Sequence, residues 1–279
     1  MKLAAHQYGK SRVRVMKVNR NGVTHTIKEL TVDVLLGGEF ESSYTSGDNR
    51  LVVPTDTMKN TVNALAHQHL GSETEPFSLR LSEHFLSKYP QVETVAVETT
   101  ERPWDRLNID GAPHPHSFIC PQQMRPSTSA FATRASRALR SGVSGLLILK
   151  STASAFRGFP RDEFTTLAET DDRILATEMT ATWTWSSESA DYARCNGAIL
   201  SALLKPFAEN HSPSVQTTLF QMGEAALRAC PEISEIQLSM PNKHCLPIDL
   251  RPFGLSNNNE LFVPVDEPHG QISATVIRD

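Results

Sequence analysis

The apolar and polar positions in the first half of the chain predict two strands, two helices and two further strands. The opening strands alternate through Val13–Val18 and Leu30–Leu36 around an Asn21-Gly22 turn. Apolar residues then recur at helical spacing in two stretches, the first capped by Asp56 and the second following Pro76. These helical positions are Met58, Val62, Leu65 and His69, then Phe77, Leu81, Phe85 and Tyr89. Further strands are predicted at Val92–Val97 and His116–Ile119.

The second half of the chain follows a similar order without residue-level identity to the first. Alternation predicts strands at Val143–Lys150 and Leu175–Trp185, and helices begin after Asp191 and at Ser212-Pro213-Ser214. The closing strands are predicted at Ile233–Met240, Leu261–Val265 and Ile272–Ile277. The region 124–142, which is rich in Ser, Arg and Ala, is expected to be a linker.

This order predicts an α+β protein with two tandem β-β-α-α-β-β units, in residues 1–135 and 136–279. Each unit should form an antiparallel sheet with its helices on one face, because a doubly wound parallel sheet needs strict alternation of strand and helix. Such sheets leave unpaired edges, and closing several of them edge to edge into a barrel favours an oligomer.

Composition excludes several functional classes. The net charge is −4 and no basic run is present, which argues against binding nucleic acid. The longest apolar runs are too short to cross a membrane, and the first residues do not form a secretory signal. The four widely spaced cysteines indicate reduced thiols and no zinc framework. With no peroxisomal C-terminal tripeptide, a cytoplasmic location is expected.

Candidate chemistry concentrates between residues 146 and 173. An apolar strand runs into Lys150, and the isolated aromatic Phe156 and the cation Arg173 follow. A flat ring and a planar guanidinium near strand ends suit a flat, anionic, heterocyclic ligand. The ring stacks on the face of such a ligand, and the guanidinium donates two parallel hydrogen bonds to its edge.

Five short segments in this architecture resemble the urate oxidase family of the T-fold superfamily. They are Tyr8-Gly9-Lys10, Val53-Pro54-Thr55-Asp56, the stretch from Lys150 to Arg173, Ser214-Val215-Gln216, and Pro241-Asn242-Lys243-His244. The resemblance implies oxidation of urate by dioxygen and water to 5-hydroxyisourate and hydrogen peroxide, with no metal and no organic cofactor. Urate is an electron-rich anion that can itself reduce dioxygen once deprotonated, so the protein need only bind, deprotonate and shield it.

The resemblance also implies which residues bind the substrate. Phe156 stacks on the purine, and Arg173 donates two hydrogen bonds to its anionic edge. The side chain of Gln216 and the backbone N–H of Val215 bind the opposite edge. The backbone N–H of Asp56 contacts the substrate, and Asn242 holds water or dioxygen above the ring together with Thr55.

Lys10, Thr55 and His244 resemble the proton relay of the family. The Thr55 hydroxyl contacts the substrate or a bridging water, Lys10 takes the proton, and His244 couples to Lys10. The resemblance further implies a homotetramer whose sites are shared between subunits. Lys10 and Thr55 come from one subunit, and the partner contributes Phe156, Arg173, Gln216, Asn242 and His244. Arg157 and Pro160 depart from the commoner sequences of the family near Phe156, at the rim of the site.

Three alternatives stay open at this point. His114 and His116 at i, i+2 on a strand could ligate a metal in an oxygenase, although a third ligand is not obvious. A T-fold enzyme acting on a pterin or a purine nucleotide would need a zinc-binding Cys/His set, which the scattered cysteines do not fit. A non-catalytic T-fold scaffold conflicts with the intact Lys10, Thr55 and His244 set.

Overall fold

The computed structural model describes residues 1–20, 22–121 and 123–278, and in it the chain forms two compact units. The first unit comprises Met1–Val143 and Thr184–Ala193, and the second comprises Ser144–Trp183 and Arg194–Asp279. The division of the chain into domains at 1–135 and 136–279 stays a prediction. Position 21 of the predicted hairpin turn lies outside the described residues.

The sheet of the first unit is antiparallel, with strand order β1-β2-β3-β6-β7. Its strands are β1 (Tyr8–Asn19), β2 (Thr26–Gly38), β3 (Val92–Arg102), β6 (Arg125–Thr133) and the first part of β7 (Arg137–Lys150). A separate two-stranded sheet pairs β4 (Asp105–Ile109) with β5 (Ala112–Ile119). Alternate residues of β2 are fully buried because one face of the sheet carries the core; they are Leu30, Val32, Val34 and Leu36.

The helices of the first unit are the short α1 (Glu41–Thr45), then α2 (Thr55–His69) and α3 (Glu75–Lys88). Helix α2 packs on β1, and α3 packs on β3 and β6. The apolar stripes predicted for α2 and α3 are confirmed except at their last positions. Met58, Val62, Leu81 and Phe85 are fully buried, whereas His69 is exposed and Tyr89 follows the end of α3. Burying these stripes against the sheet accounts for the position of both helices.

The predicted linker at 124–142 is wrong, because β6 and the start of β7 occupy this region. The buried positions of β6 are Thr128, Ala130 and Ala132, which lie under α3. Small residues at these positions give only a weak apolar alternation, although they let the helix approach the strand closely. The predicted strand at His116–Ile119 is the second half of β5, and its partner β4 was not predicted. The two strands are joined by Asp110-Gly111, with φ of 51° and 81°, which is a strong two-residue turn signal.

The second unit has the strand order β7-β8-β10-β11, with β9 paired to β8 and to β12. Its strands beyond β7 are β8 (Leu175–Trp185), β9 (Ile233–Ser239), β10 (Asn242–Pro247), β11 (Phe262–Gly270) and β12 (Ser273–Ile277). A 3₁₀ turn at Arg251–Phe253 separates β10 from β11. The helices are α4 (Tyr192–Glu209) and α5 (Val215–Ala229), and α5 packs on β9 and β12. The α+β prediction is confirmed.

Basic side chains in the strands or directly after them bind carbonyl groups at the C-terminal ends of four helices. Lys17 donates to the carbonyl oxygens of Ala66, His67 and Leu70 at the end of α2. Arg134, Lys150 and Arg278 do the same at the ends of α3, α4 and α5. The last carbonyl groups of a helix lack partners within the helix and carry negative partial charge, so each cation stabilises its helix end.

Among the described residues, no helix is both long enough and apolar enough to cross a membrane. The cytoplasmic location stays a prediction.

Candidate active site

Lys10 lies half-buried on β1 at the point where the pairing with β2 is interrupted. Lys10 is opposite Val34, and the register shifts before Val13. Within the bulge, Arg12 has a φ of 58° and donates its backbone N–H to a carboxylate oxygen of Asp33 at 2.7 Å. A bulge bends a strand and changes the direction of its side chains, so it influences the direction of the Lys10 side chain that precedes it.

Tyr8 joins the Lys10 strand to the loop that leads into α2. Its hydroxyl accepts the N–H of Val53 at 2.7 Å and donates to the carbonyl of the same residue at 3.2 Å. Its ring packs edge-on against Phe40, with centroids 4.8 Å apart. Burial raises the pKa of Tyr8, so its hydroxyl stays protonated as both donor and acceptor. These contacts fix Lys10 and Thr55 relative to each other within the first unit.

Gly9, between Tyr8 and Lys10, allows β1 and β2 to approach closely. A Cβ atom at this position would lie 1.8 Å from the carbonyl oxygen of Val34. No other residue fits without moving a backbone, so glycine is required to keep the two neighbouring side chains in place.

Thr55 is the first residue of α2, and Asp56 follows it in the exposed first turn. The prediction that the Asp56 side chain caps this helix is wrong, because Pro54 holds the cap position. The Asp56 carboxylate instead binds Lys59 and the amide of Asn60, the latter at 3.0 Å. The hydrogen bond from Lys59 holds the pKa of Asp56 below its usual range, and the charge of Lys10 acts in the same direction.

In the second unit, Phe156 and Arg173 lie against each other. Phe156 exchanges two backbone hydrogen bonds with Thr170, at 2.9 and 3.1 Å. The central carbon of the Arg173 guanidinium lies 5.2 Å from the Phe156 ring centroid, and Phe159 stacks on the same ring at 5.0 Å. Burial lowers the pKa of Arg173 from its ordinary value, although the group remains a cation at neutral pH.

The Arg173 Nε atom is buried and has no hydrogen-bond partner in the described part of the chain. An unpaired buried donor is unfavourable, by about 1–3 kcal/mol and more for a charged group. Such a donor beside an aromatic ring suits an anionic ligand with a planar edge, because the ligand supplies the missing acceptor.

Backbone hydrogen bonds connect this pair to the start of α5. The N–H of Arg173 donates to the carbonyl of Ser154 at 2.8 Å. Ser154 forms a parallel bridge with Ser212, in which Ala155 donates to the Ser212 carbonyl at 2.7 Å. Two residues later, Ser214 caps α5 by accepting the N–H of Thr217 at 3.1 Å.

This connection joins the start of α5 to the backbone of the segment that carries the ring and the guanidinium. Val215 has a buried side chain, Gln216 is exposed, and both stand in the first turn, where backbone N–H groups lack partners within the helix. The helix start predicted at Ser212-Pro213-Ser214 is therefore confirmed. The Ser154–Ser212 bridge is a supporting element that the sequence did not reveal.

Asn242 and His244 stand on β10 of the second unit. Asn242 is buried and lies opposite Thr177 of β8 and Gly270 of β11. The pairing with β11 is irregular between Asn242 and His244, and His244 is half-buried opposite Val265. The structure thus distributes the predicted residues between two groups: Lys10, Thr55 and Asp56 in the first unit, and Phe156, Arg173, Val215, Gln216, Asn242 and His244 in the second.

Arg157 and Pro160, the two predicted departures near the site, are both exposed. Arg157 is ion-paired with Asp171 at 2.5 Å and with Glu169 at 3.5 Å. Its charge is therefore neutralised by neighbouring carboxylates, in contrast to Arg173. This difference separates the two arginines of the segment by their electrostatic roles.

His114 and His116 lie on β5, with ring centroids 4.5 Å apart. Within residues 1–20, 22–121 and 123–278, no cysteine, carboxylate or further histidine completes a three-ligand group with them. The metal-dependent alternative therefore gains no support from the geometry.

The chain also matches a family of known proteins. A family model described as Uricase matches residues 6–130 and 139–273. The chain belongs to the uricase family.

Individual members of the family match over nearly full length. The uricase of Arthrobacter globiformis is 43% identical over 277 residues, which is 99% of this chain and 90% of that protein. The uricase of Aspergillus flavus is 41% identical, covering 98% of this chain and 96% of that protein. The crystal structure of the Arthrobacter globiformis uricase superimposes with a TM-score of 0.96, covering 100% of this chain and 96% of that one. The fold and the family are thus established by sequence and by structure.

Proposed function

We propose that the protein is a urate oxidase that converts urate, dioxygen and water to 5-hydroxyisourate and hydrogen peroxide. Urate loses two electrons and two protons, which reduce dioxygen to hydrogen peroxide. Water then adds to the oxidised purine, with its hydroxyl group on a ring carbon and its proton on a ring nitrogen. Membership of the uricase family supports this reaction.

The observation that carries the proposal is the pairing of Phe156 with Arg173. The ring offers a flat stacking surface, and the guanidinium beside it has a buried Nε with no partner in the described residues. A planar anion satisfies both, because it stacks on the ring and accepts parallel hydrogen bonds along one edge.

The first turn of α5 supplies the opposite edge of the proposed site. The backbone N–H of Val215 and the amide of Gln216 would complement urate there, and the positive end of the helix dipole favours an anion. Asn242 would hold water or dioxygen above the ring, and the backbone N–H of Asp56 would meet the substrate from the other group.

Lys10, Thr55 and His244 form the proposed proton relay. The Thr55 hydroxyl would pass the proton of urate toward Lys10, and His244 would share it. A lysine that acts as a general base must be neutral when it accepts the proton. Removing this proton makes urate a better reductant for dioxygen.

Neither a metal nor an organic cofactor takes part in the proposed reaction. The polar groups of the site are amides, a hydroxyl, a lysine, an arginine and one histidine, which is a poor ligand set for a metal. After exhaustive chelation, the protein should consume urate at an unchanged initial rate and form one equivalent of hydrogen peroxide. The measurement follows loss of the ultraviolet band of urate and formation of peroxide. Activity lost to the chelator and restored by one metal would contradict the cofactor-free reaction.

The protein is further proposed to be a homotetramer whose sites are shared between subunits. Lys10 and Thr55 would come from one subunit, and Phe156, Arg173, Gln216, Asn242 and His244 from its partner. Open sheet edges in a T-fold protein support closure between chains, and a symmetric pair then holds two identical sites.

Complementation of two inactive variants tests this arrangement. Thr55→Ala and Arg173→Ala should each be inactive. Co-expression should leave about a quarter of all sites intact, because about half of randomly paired dimers are mixed and one of the two sites in each mixed dimer carries neither substitution. Differently tagged chains allow the mixed dimers to be isolated and assayed. No activity in isolated mixed dimers would show that the two residue groups meet within one chain.

A further inference from the structure

Two thiols and a carboxylate converge in the second unit, apart from the residues of the proposed active site. Cys195 lies in the first turn of α4, Cys230 directly follows α5, and Glu232 precedes β9. Both cysteines are completely buried, whereas the Glu232 side chain is 30% exposed. Both Sγ atoms and a Glu232 carboxylate oxygen lie within 4.8 Å of one another.

Hydrogen bonds hold these three side chains toward one point. The Cys230 thiol donates to Glu232 Oε2 at 3.4 Å. The Arg194 guanidinium donates to Glu232 Oε1 at 2.6 Å and to the Cys195 sulfur at 3.3 Å. One carboxylate oxygen of Glu232 therefore faces the sulfurs, while Arg194 holds the other. Residues next to a metal ligand commonly orient it in this way.

We propose that Cys195, Cys230 and Glu232 form a binding site for one zinc ion or a similar thiophilic cation. Two sulfurs and one carboxylate oxygen are ligands that zinc accepts, and a water molecule on the exposed side of Glu232 completes a tetrahedron. The widely spaced cysteines gave no zinc motif in the sequence, because three separate elements bring the ligands together.

Charge balance favours this assignment. Each thiol transfers its proton to solvent as its sulfur binds the metal, so one divalent cation replaces two protons. The charge of the cluster is unchanged by this exchange, and the Arg194 guanidinium is paired with Glu232. Arg194 also donates an N–H group to the Cys195 sulfur at 3.3 Å.

The bound ion would join two helix ends. It would connect the first turn of α4 to the C-terminal end of α5, where Arg278 also binds the carbonyl of Cys230 at 3.2 Å. Because the ion binds the folded chain, it should raise the stability of the protein. Binding of the ion and oxidation of urate are separate properties that can be measured independently.

Zinc titration of the metal-free, fully reduced, full-length protein tests the proposal. The chain should bind one zinc ion, and its thermal midpoint should rise by about 5 °C or more at a free zinc concentration about 100 times the dissociation constant. Cobalt in place of zinc should give the intense visible absorption of a tetrahedral site with thiolate ligands.

Matched variants assign the ligands. Cys195→Ser and Glu232→Gln should each bind zinc at least about tenfold more weakly and lose the midpoint rise, whereas Cys120→Ser should behave as the parent protein because Cys120 lies outside the cluster. Glu232→Gln is the informative variant if Cys195→Ser does not fold. The proposal fails if the parent binds zinc only in the millimolar range, if the ligand variants Cys195→Ser and Glu232→Gln keep the midpoint rise, or if the cobalt spectrum is octahedral.

Discussion

Replacing Arg173 by glutamine should weaken the binding of an unreactive urate analogue by about 2–4 kcal/mol, or roughly 30- to 1,000-fold, which is typical for loss of a buried charge-assisted pair. Glutamine keeps a hydrogen-bond donor but removes the charge and the forked edge of the guanidinium. The dissociation constant of the analogue, measured by calorimetry or by fluorescence quenching, gives the size of the effect.

Arg157→Gln is the matched control for this prediction. Arg157 belongs to the same segment, yet it is exposed and already paired with Asp171 and Glu169. Its replacement should change analogue affinity by less than about threefold, as is usual for exposed ion pairs. Equal losses in the two variants would mean that general positive charge, and not a specific contact of Arg173, binds the anion.

Replacing Lys10 by methionine should separate binding from chemistry. Methionine keeps most of the side-chain volume but cannot carry a proton, so turnover should fall by about 10²–10⁴, as is typical when a general base is lost. Affinity for the unreactive analogue should change little. Stopped-flow measurement of urate consumption, together with analogue titration of the same preparation, separates the two effects.

Lys88→Met provides the control for loss of a lysine charge. Lys88 is exposed in the last turn of α3, in the same unit as Lys10 but outside the proposed site. Its replacement should leave the rate and the affinity unchanged. Full turnover in Lys10→Met would remove this lysine from the mechanism, and a parallel loss of analogue binding would assign it a role in binding.

The sequence predicts elements well where branched apolar residues alternate strongly. Strand β2 follows directly from such a pattern, and helix α5 follows from apolar residues that recur every three or four positions. Strand β6 does not, because its buried face is built from Thr128, Ala130 and Ala132, whose alternation is too weak to distinguish a strand from a linker. The helix cap predicted at Asp56 shows a second limit of sequence patterns. Its carboxylate binds Lys59 instead, and Pro54 occupies the cap position.

Short motifs and their resemblance to a family predict the residues of the candidate site, whereas the contacts that support those residues are visible only in the structure. Tyr8 bonds to Val53 across 45 positions, and no local periodicity encodes such a pair. The bridge between Ser154 and Ser212 is similarly distant in sequence, yet it orients Arg173 relative to α5. Contacts of this kind depend on which strand ends the fold brings together.

The cations at the helix C-termini affect how much conformational entropy the protein loses when a ligand binds. Helices α2 and α5 are each held at the C-terminal end by a basic side chain, Lys17 and Arg278, while their opposite ends begin at Thr55 and Val215. A helix is stiff over this length, so anchoring one end restricts the movement of the other. The N–H groups proposed to meet the substrate are then ordered before it arrives, and little entropy is lost in fixing them.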